Sequence, residues 1–385
     1  MRIVVIGAGI VGAACALELT ERGAEVVVID RTGVAAETSS RCEGNLLVSD
    51  KEPGPEADLA IASNEMWRGL AARLDADRPS GQPGTEFEAK GGIVVAFPGG
   101  EGALEGFAAA QRDIGIRAVA LDAAALRAAE PHLAPDVALA MHYPDDAQLQ
   151  PSTATQALLA TALRRGARLR IAEVVGGLMH DGRLRGVATD AGPIEADAVV
   201  NCAGPWSGEV AARLGARLDI RPRRGVILVT TPMPQRVFHK VYDSDYVGAV
   251  GSGNAALQTS TVVESTPGGT VLIGSSRERV GFDEHPGTGP SAAIAAKAIR
   301  LFPFLAETTL LRSYFGFRPY APDHLPVIGA DPLVDGLFHA TGHEGAGIGL
   351  APATAALISH AVLGADTDLD PGPFLPGRAS LQENP

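Results

Sequence analysis

The order of apolar and polar residues over the first thirty positions predicts a strand, a helix and a second strand. Residues 2–6 and 26–29 are nearly continuous apolar runs, which is typical of strands buried on both faces of a parallel sheet. Between them, the apolar residues of 11–22 recur at helical spacing, and Gly23 supplies a C-terminal stop. The opening of the chain therefore predicts a strand–helix–strand unit.

The turn between this strand and this helix contains three glycines with separate physical roles. Gly7 allows a tight turn, Gly9 lets a phosphate approach the backbone, and Gly12 lets the helix pack closely on the strand. A helix that begins here points its first N–H groups at a pyrophosphate. Asp30 ends the second strand, 18 residues after Gly12, where an acid can accept hydrogen bonds from both ribose hydroxyls. This order of features predicts a dinucleotide-binding site.

The rest of the chain continues with helices and strands. Apolar spacing predicts helices at 59–74, 103–110, 123–130, 153–165 and 350–363. Alternating or β-branched runs predict strands at 92–97, 168–172, 198–200, 222–229, 246–250, 257–264, 270–274, 311–317 and 337–340, with a hairpin turn at 180–183. Polar residues 31–56 predict a long loop of the kind that lines functional sites.

These elements indicate an α/β fold class. We expect a Rossmann-like dinucleotide-binding domain and a second, α+β substrate domain built on an antiparallel sheet. At 385 residues the chain exceeds the size at which a single core stays efficient, so two domains are expected. We assign residues 1–80, 145–215 and 325–385 to the first, discontinuous domain, and residues 81–144 and 216–324 to the second.

Charge and cysteine content argue against several classes of protein. The net charge of −13 argues against a nucleic-acid partner, although Arg221, Arg223 and Arg224 form a local basic cluster. Three cysteines without CxxC spacing predict neither a disulfide framework nor a metal site. The chain opens on its first strand without a signal-peptide pattern and contains no apolar run of membrane-spanning length. We expect a soluble cytoplasmic protein.

Four separated segments carry a resemblance to a known family. They are the opening glycine unit, VVNCAGPWS at 199–207, GFRPYAPDHLPVIG at 316–329, and ATGHEGAGIGLAP at 340–352. Together they resemble the flavin-dependent D-amino-acid oxidase superfamily, which includes glycine oxidase, sarcosine oxidase and D-amino-acid dehydrogenases. The resemblance spans nearly the whole chain and implies that the dinucleotide-binding domain binds FAD.

A fifth segment, CEGNLLVSDK at 42–51, resembles the flavin subunits of D-hydroxyproline dehydrogenases and related opine-type amine dehydrogenases. Relatives with a tethered flavin carry a cysteine where this chain has Gly316, so the resemblance implies noncovalent FAD. It also implies a homo-oligomer, or a hetero-complex with an iron–sulfur protein and a second flavin subunit. Three cysteines cannot hold an iron–sulfur cluster within this chain, because such a cluster usually needs four.

Arg318 is the leading candidate for binding a substrate carboxylate. Arginine binds a carboxylate through two parallel hydrogen bonds, and the Gly-Phe-Arg-Pro segment is where the family places its carboxylate-binding arginine. The alternative is a structural ion pair with an acid such as Asp323. Tyr246 matches a tyrosine of glycine oxidase that contacts the same carboxylate, and a core or strand-surface tyrosine is an equal alternative.

The turn at 342–349 precedes a helix, whose N-terminus offers partial positive charge to a reduced flavin. In the family this turn runs beside the flavin ring. Glycine oxidase has a second substrate arginine there, at the position of Gly345, so that contact is missing in this chain. Glu344 could instead bind a substrate amine or a hydroxyl, or be an exposed turn acid. His343 could be a general base or a structural hydrogen-bonding residue.

The resemblance and the glycine unit together give a set of expected cofactor contacts. Val174 is expected to meet adenine through its backbone, although an ordinary strand-end valine is a close alternative. Ser39 and Ser40 could donate to the pyrophosphate. The full set is Gly7, Gly9, Ile10, Val11, Gly12, Asp30, Arg31, Thr38, Ser39, Glu43, Gly44, Asn45, Val174, Gly204, His343, Glu344, Gly345, Ala346, Gly347 and Ile348.

Three hypotheses of function follow. The first is an FAD-dependent oxidase or dehydrogenase of a small amino or imino acid, which transfers hydride from Cα to flavin N5. The substrate is then a small carboxylated amine such as a D-amino acid, D-hydroxyproline, glycine, sarcosine or an opine. The second is the flavin subunit of an amine dehydrogenase complex. The third is a nicotinamide-dependent dehydrogenase, which leaves the segments at 199–207 and 342–349 without a role.

Overall fold

The computed structural model describes residues 1–244 and 256–382. The helices are α1 (Ile10–Glu21), α2 (Pro55–Asp77), α3 (Glu101–Asp113), α4 (Ala123–Ala129), α5 (Pro151–Arg164), α6 (Ser207–Arg213), α7 (Gly289–Leu301), α8 (Gly347–Leu363) and α9 (Ala379–Gln382). Tyr246 and the predicted strand at 246–250 lie outside the described residues.

The strands follow the same chain order. They are β1 (Arg2–Ile6), β2 (Glu25–Asp30), β3 (Asn45–Leu46), β4 (Gly92–Ala96), β5 (Val119–Leu121), β6 (Leu139–Tyr143), β7 (Ala147–Gln148), β8 (Arg168–Ile171), β9 (Val174–His180), β10 (Arg183–Thr189), β11 (Gly192–Glu195), β12 (Ala198–Asn201), β13 (Arg221–Thr230), β14 (Lys240–Asp243), β15 (Gln258–Ser265), β16 (Val271–Arg277), β17 (Leu310–Tyr320), β18 (Val327–Ala330) and β19 (Leu337–Thr341).

A six-stranded sheet in the order β18-β19-β12-β1-β2-β8 contains the predicted strand–helix–strand unit. β1 lies between β2 and β12, and both pairings are parallel. Ile3 and Val5 pack in the core cluster that contains α1, whereas Val4 and Ile6 pack in the cluster on the other face with β9–β11 residues. Both faces are covered, which explains why β1 is continuously apolar instead of alternating.

An eight-stranded sheet has the order β17-β13-β16-β15-β14-β4-β6-β5. Its pairings are antiparallel except β14 with β4, so the predicted antiparallel sheet is in fact mixed. Val226 and Leu228 of β13 pack in the cluster that contains α7 residues. Because side chains alternate along a strand, Gly225 and Ile227 point to the opposite face, where a cavity lies.

The strands of the six-stranded sheet come from the segments that we assigned to the first domain, and those of the eight-stranded sheet come from the segments assigned to the second. The domain boundaries themselves stay a prediction. Among the described residues, no helix combines the length and the apolar character needed to cross a lipid bilayer.

Three predicted boundaries were wrong in ways that affect the site. β17 continues to Tyr320, so Arg318 lies within a strand instead of after it. α8 begins at Gly347 instead of Leu350, which places Gly347 and Ile348 in its first turn. The predicted loop 31–56 is interrupted by β3 and by a short 3-10 helix at Thr38–Ser40. β17 and β3 form by pairing with β13 and β7, which are distant in sequence, so local patterns do not show their bounds.

Candidate active site

A large cavity runs from the glycine turn after β1 to the face of the eight-stranded sheet. It contains about 1640 Å³ of space free of atoms, counting its open mouth. Most predicted site residues line it: Gly7, Gly9, Ile10, Val11, Asp30, Arg31, Thr38, Ser39, Glu43, Gly44, Asn45, Val174, Gly204, Arg318, His343, Glu344, Gly345, Gly347 and Ile348. The fold therefore brings residues from widely separated parts of the sequence to one site.

Gly12 and Ala346, both predicted cofactor contacts, are not in the wall of this cavity. A Cβ on Gly12 would lie 3.0 Å from the carbonyl carbon of Gly7, so this glycine serves the close packing of α1 on the turn. Ala346 lines a smaller neighbouring cavity together with Asn45 and Gly345.

The glycine turn is tied to the segment at 38–40. Gly7 donates its backbone N–H to the carbonyl of Ile29 at 2.7 Å, and Ile10 donates its N–H to Ser39 Oγ at 2.9 Å. A Cβ on Gly9 would lie 3.0 Å from the same Ser39 hydroxyl. The first helical hydrogen bond of α1 runs from Ala13 N to Gly9 O, so N–H groups before Ala13 lack a helical carbonyl to bind. This end of the cavity is suited to an anion.

Ser40 takes a different role from the predicted phosphate contact. Its hydroxyl donates to the Glu37 carbonyl at 3.0 Å, and its side chain is exposed. Thr38 donates its hydroxyl to the carbonyl of Phe317 at 2.7 Å, which anchors the segment to β17. The segment thus connects the glycine turn to the strand that carries Arg318.

Asp30 organises the turn after β2. Its Oδ2 accepts from Ala8 N at 2.8 Å, and its Oδ1 accepts from Thr32 N at 2.9 Å and from Gly33 N at 2.8 Å. Oδ1 also accepts from the Thr32 hydroxyl at 3.1 Å. Each carboxylate oxygen has two lone pairs, so Oδ2 retains one for an external donor.

Arg31 and Trp206 line the cavity and stack with Phe282. The Arg31 guanidinium lies 4.3 Å from the Trp206 ring centroid, and the Trp206 and Phe282 rings are parallel with centroids 5.1 Å apart. Trp206 is half-buried. Val174 and Gly204 line the same region of the cavity.

His343 lies in the turn before α8 and is buried. One of its ring nitrogens is 2.8 Å from the Thr354 hydroxyl, on the helix that the turn leads into. Burial lowers the pKa of His343 to about 3, so the ring is neutral near pH 7. These contacts favour the structural role over the general base, because a base that titrates near pH 3 is poorly matched to neutral conditions.

Glu344 forms a buried ion pair instead of an exposed turn acid. Its carboxylate accepts from Arg223, which is fully buried on β13, and its Oε2 lies 3.2 Å from His324 Nδ1. Burial by itself would raise the pKa of Glu344, but the hydrogen bond with His324 and the charge of Arg223 outweigh it and lower this pKa. Its backbone is left-handed (φ +46°), which is uncommon for a residue with a side chain.

Arg318 lies on a floor of bare backbone. Gly225 of β13 pairs directly with Gly316 of β17, and a Cβ on Gly225 would lie 2.6 Å from the Arg318 guanidinium carbon. Arg318 Nη1 donates to the Ser276 carbonyl at 2.9 Å. Asp323 instead pairs with Arg378 at 2.6 Å, so the alternative pairing of Arg318 with Asp323 is wrong. The guanidinium is held on the cavity side of the sheet.

Several residues of the cavity wall were missed by reasoning from the sequence. Gly225, Ile227, Ser275 and Arg277 all line it, and they come from neighbouring strands β13 and β16. Strand alternation could have placed Gly225 and Ile227 on one face, but the register that brings them to Gly316 is a long-range property.

Cys42 lines the cavity beside Glu43, and burial raises the pKa of its thiol to about 12. A thiol with that pKa is poorly reactive at neutral pH, which opposes a redox role. Cys15, Cys42 and Cys202 are all free thiols.

Comparison with known proteins identifies the family. Residues 2–361 match the family model described as DAO, FAD dependent oxidoreductase. The chain belongs to this DAO family. It is an FAD-dependent oxidoreductase, which decides between FAD and a nicotinamide cofactor in favour of FAD.

Relatives of this DAO-family chain cover nearly its full length. Glycine oxidase of Pseudomonas aeruginosa is 30% identical over 384 residues, which cover 97% of this chain and 98% of that protein. Hydrogen cyanide synthase subunit HcnC of Pseudomonas protegens is 28% identical over 420 residues, covering 98% of this chain and 95% of HcnC. The crystal structure of glycine oxidase from Geobacillus kaustophilus superposes with a TM-score of 0.87 at 27% identity, covering 98% and 99% of the two chains.

The cavity of this DAO-family chain fits the FAD that the family requires. At one end of the cavity, a Cβ on Gly9 would occupy the space through which a phosphate can reach the start of α1. Helical N–H groups face the cavity there. The Asp30 carboxylate lies at the end of the neighbouring strand β2, as an acceptor for a sugar hydroxyl should. The N-terminus of α8 lines the other end of the cavity. The donors and acceptors that a dinucleotide needs are therefore present in the right order.

Proposed function

We propose that this enzyme oxidises a small α-amino or imino acid at the carbon that bears the nitrogen. The observation that carries the proposal is the placement of Arg318, whose guanidinium lies on the glycine floor within the cavity. An arginine held in this way offers two parallel donors to a substrate carboxylate. The proposed substrates are a D-amino acid, D-hydroxyproline, glycine, sarcosine or an opine.

The chain's own residues bind and orient the substrate and keep the reacting atoms away from water. FAD, when bound, supplies the acceptor for the hydride that leaves the substrate Cα. Arg318 fixes the carboxylate, and this fixes the position of the neighbouring Cα. The first turn of α8 places partial positive charge at the end of the cavity where the glycine-rich turn runs. Tyr246 as a second carboxylate contact stays a prediction.

We propose that FAD is held without a covalent bond by the cavity residues predicted from the sequence. Gly9, Ile10 and Val11 would bind the pyrophosphate, and Asp30 with Arg31 would flank the ribose and adenine. Gly316 offers no nucleophile where tethered relatives carry a cysteine, and the buried thiol of Cys42 has a raised pKa. The proposal predicts that acid precipitation releases all of the flavin into the supernatant.

A second candidate is that this chain is the flavin subunit of a larger complex that passes electrons to a partner protein. The observation that favours it is the similarity to HcnC, which is named as a subunit of hydrogen cyanide synthase. Turnover of the isolated chain in air, with one peroxide formed for each amine consumed, would oppose it. Flavin reduction by substrate with slow reoxidation by oxygen would favour it.

The experiment that tests the proposal is an anaerobic screen of the purified holoenzyme. Each candidate amine is added without oxygen, and bleaching of the flavin absorbance near 450 nm reports reduction. We expect at least one small carboxylated amine to bleach the flavin, and its decarboxylated analogue to leave it oxidised. A flavin that stays oxidised with every carboxylated amine, or a protein that never binds FAD, would refute the proposal.

A further inference from the structure

Glu43 is a buried acid without a partner. It is 5% exposed and lines the cavity. Within residues 1–244 and 256–382, no hydrogen bond or ion pair reaches its carboxylate, and Oε1 is sealed from solvent. Because an ionised carboxylate is costly to bury without a compensating donor, this group needs a positively charged or donating partner from outside the described residues.

The other buried acids near the cavity do have partners. Glu344 pairs with Arg223, Glu264 pairs with Lys240, and Glu278 pairs with Arg224. Lys240 also donates to Asn45 Oδ1, two residues after Glu43, but its contacts do not include Glu43 itself. The missing partner is therefore particular to Glu43 among these acids.

The position of Glu43 relates it to Arg318. A Cβ on Gly274 of β16 would lie 2.5 Å from the Glu43 carboxyl carbon, so this carboxyl group rests on bare backbone. Gly225 of β13, the adjacent strand, lies under the Arg318 guanidinium in the same way. The register Leu228↔Ile273 sets Gly274 beside Ile227, two residues along β13 from Gly225. Side chains two residues apart on a strand share a face, so the two opposite charges lie on one floor.

A third glycine completes this floor. A Cβ on Gly316 of β17 would lie 2.8 Å from Arg41 Cβ, and Tyr314 on the same strand donates its hydroxyl to the Cys42 carbonyl at 3.3 Å. Residues 41 and 42 therefore lie against β17, the strand that carries Arg318. The floor of Gly225, Gly274 and Gly316 presents one guanidinium and one unpartnered carboxylate to the cavity.

We propose that Glu43 binds the amino group of the substrate while Arg318 binds its carboxylate. An α-amino or imino acid carries the complementary pair of charges, because its cationic nitrogen and its anionic carboxylate are attached to the same carbon. Glu43 supplies a charge-assisted acceptor for the ammonium or iminium N–H, and the substrate supplies the partner that this carboxylate lacks. This inference rests on the proposed function, and it replaces the expected role of Glu43 as a cofactor contact with a role in recognising the amine.

The test compares two ligands that differ only at the nitrogen. The holoenzyme is titrated anaerobically with the amine that the screen identifies, and separately with the analogue in which oxygen replaces N–H. For sarcosine this analogue is methoxyacetate, and for proline it is tetrahydro-2-furoate. Rapid-mixing reduction gives the apparent Kd of the amine, and the flavin absorbance change gives the Kd of the analogue.

We expect Glu43→Gln to weaken binding of the amine by roughly tenfold or more, because a charge-assisted hydrogen bond is lost. Binding of the analogue should stay within about twofold of wild type, since Arg318 still holds its carboxylate. Arg318→Ala should weaken both ligands, and Glu52→Gln, which removes an exposed acid nearby in sequence, should change neither. If Glu43→Gln does not fold, Glu43→Asp retains the charge on a shorter side chain and should weaken the amine selectively but less.

Three results would overturn the inference: equal weakening of amine and analogue, unchanged binding of both, or loss of FAD from the Glu43→Gln protein. The last would make Glu43 a cofactor contact. A wild-type holoenzyme that no carboxylated amine reduces would refute the proposed function and this inference together. A wild-type enzyme that is reduced normally, with a Glu43→Gln variant that behaves identically, would refute the inference alone.

Discussion

The guanidinium of Arg318 lies directly on the backbone of Gly225, in the space that a side chain at this position would occupy. The two residues belong to the adjacent strands β17 and β13, and the glycine opposite Gly225 is Gly316. The missing side chain at Gly225 therefore allows the arginine to lie flat against the sheet and to present its donors to the cavity.

Replacement of Gly225 by Ala should displace Arg318 without removing its charge. The added methyl would lie 2.6 Å from the guanidinium carbon, and the end of a long side chain can move aside while the fold is kept. A misplacement of about 1 Å can cost roughly 100-fold, so we expect kcat/KM to fall roughly 10- to 100-fold. Steady-state kinetics and FAD content measure this. Gly268→Ala is the matched control, because a Cβ there would meet only the Thr266 hydroxyl, at an ordinary 3.7 Å.

Removal of the Arg318 side chain should raise KM more than its displacement by Gly225→Ala does. Loss of a buried charge-assisted pair with the carboxylate costs about 2–5 kcal/mol, so Arg318→Ala should raise KM by about 30-fold or more with FAD still bound. Arg312→Ala, an exposed arginine on the same strand, should leave KM unchanged. An unchanged KM in Arg318→Ala would remove this residue from the substrate site.

Replacement by alanine should affect stability at Gly12 and FAD binding at Gly9. In Gly12→Ala the methyl would collide with the Gly7 backbone, so we expect the free energy of unfolding to fall by about 1–3 kcal/mol or more. In Gly9→Ala the nearest atom is Ser39 Oγ at 3.0 Å, so the fold should persist while FAD binds more weakly. Urea denaturation of the apoprotein and FAD titration separate the two effects. Wild-type FAD affinity in Gly9→Ala would exclude the phosphate from this turn.

The buried pair of Arg223 and Glu344 should be sensitive to the loss of one partner. Arg223→Met removes the buried charged partner of the Glu344 carboxylate, so we expect a loss of about 3–5 kcal/mol in the free energy of unfolding. The double variant with Glu344→Gln should recover part of this loss, because the uncompensated charge is gone. Denaturant unfolding of the single and double variants gives the coupling energy. Additive losses would show that the two side chains act independently.

His343 should make stability depend on pH between about 6.5 and 3. Burial lowers its pKa to about 3 in the folded protein, whereas the unfolded chain titrates near 6.5. The unfolded state therefore takes up a proton that the folded state rejects, so stability is complete above about pH 6.5 and is lost as pH falls. Between pH 7 and pH 4, the free energy of unfolding of the His343→Asn variant should fall less than that of the wild type. Identical slopes of unfolding free energy against pH would contradict the buried neutral ring.

Local patterns accounted for much of the fold and of the cofactor end of the site. The turn at Gly7 and the packing glycine at Gly12 could be predicted because a strand, a tight turn and a helix are encoded by neighbouring residues. The helix after the glycine-rich turn was also predicted, although it begins at Gly347, within that turn. The role of this turn beside the flavin stays a prediction. The ion pair of Glu344 was not predicted, because its partner Arg223 is 121 residues away in the sequence.

The sequence by itself determined the dinucleotide-binding unit and, through its separated motifs, the family of this protein. This was possible because the local structure of each motif is encoded by residues that are close together in the sequence. Only the tertiary structure decided the end of the cavity where Arg318 lies. There the floor of Gly225, Gly274 and Gly316 depends on the register of β13, β16 and β17, and strand register is set by burial and pairing across the whole sheet. The placement of Glu43 near Arg318 is a consequence of that register.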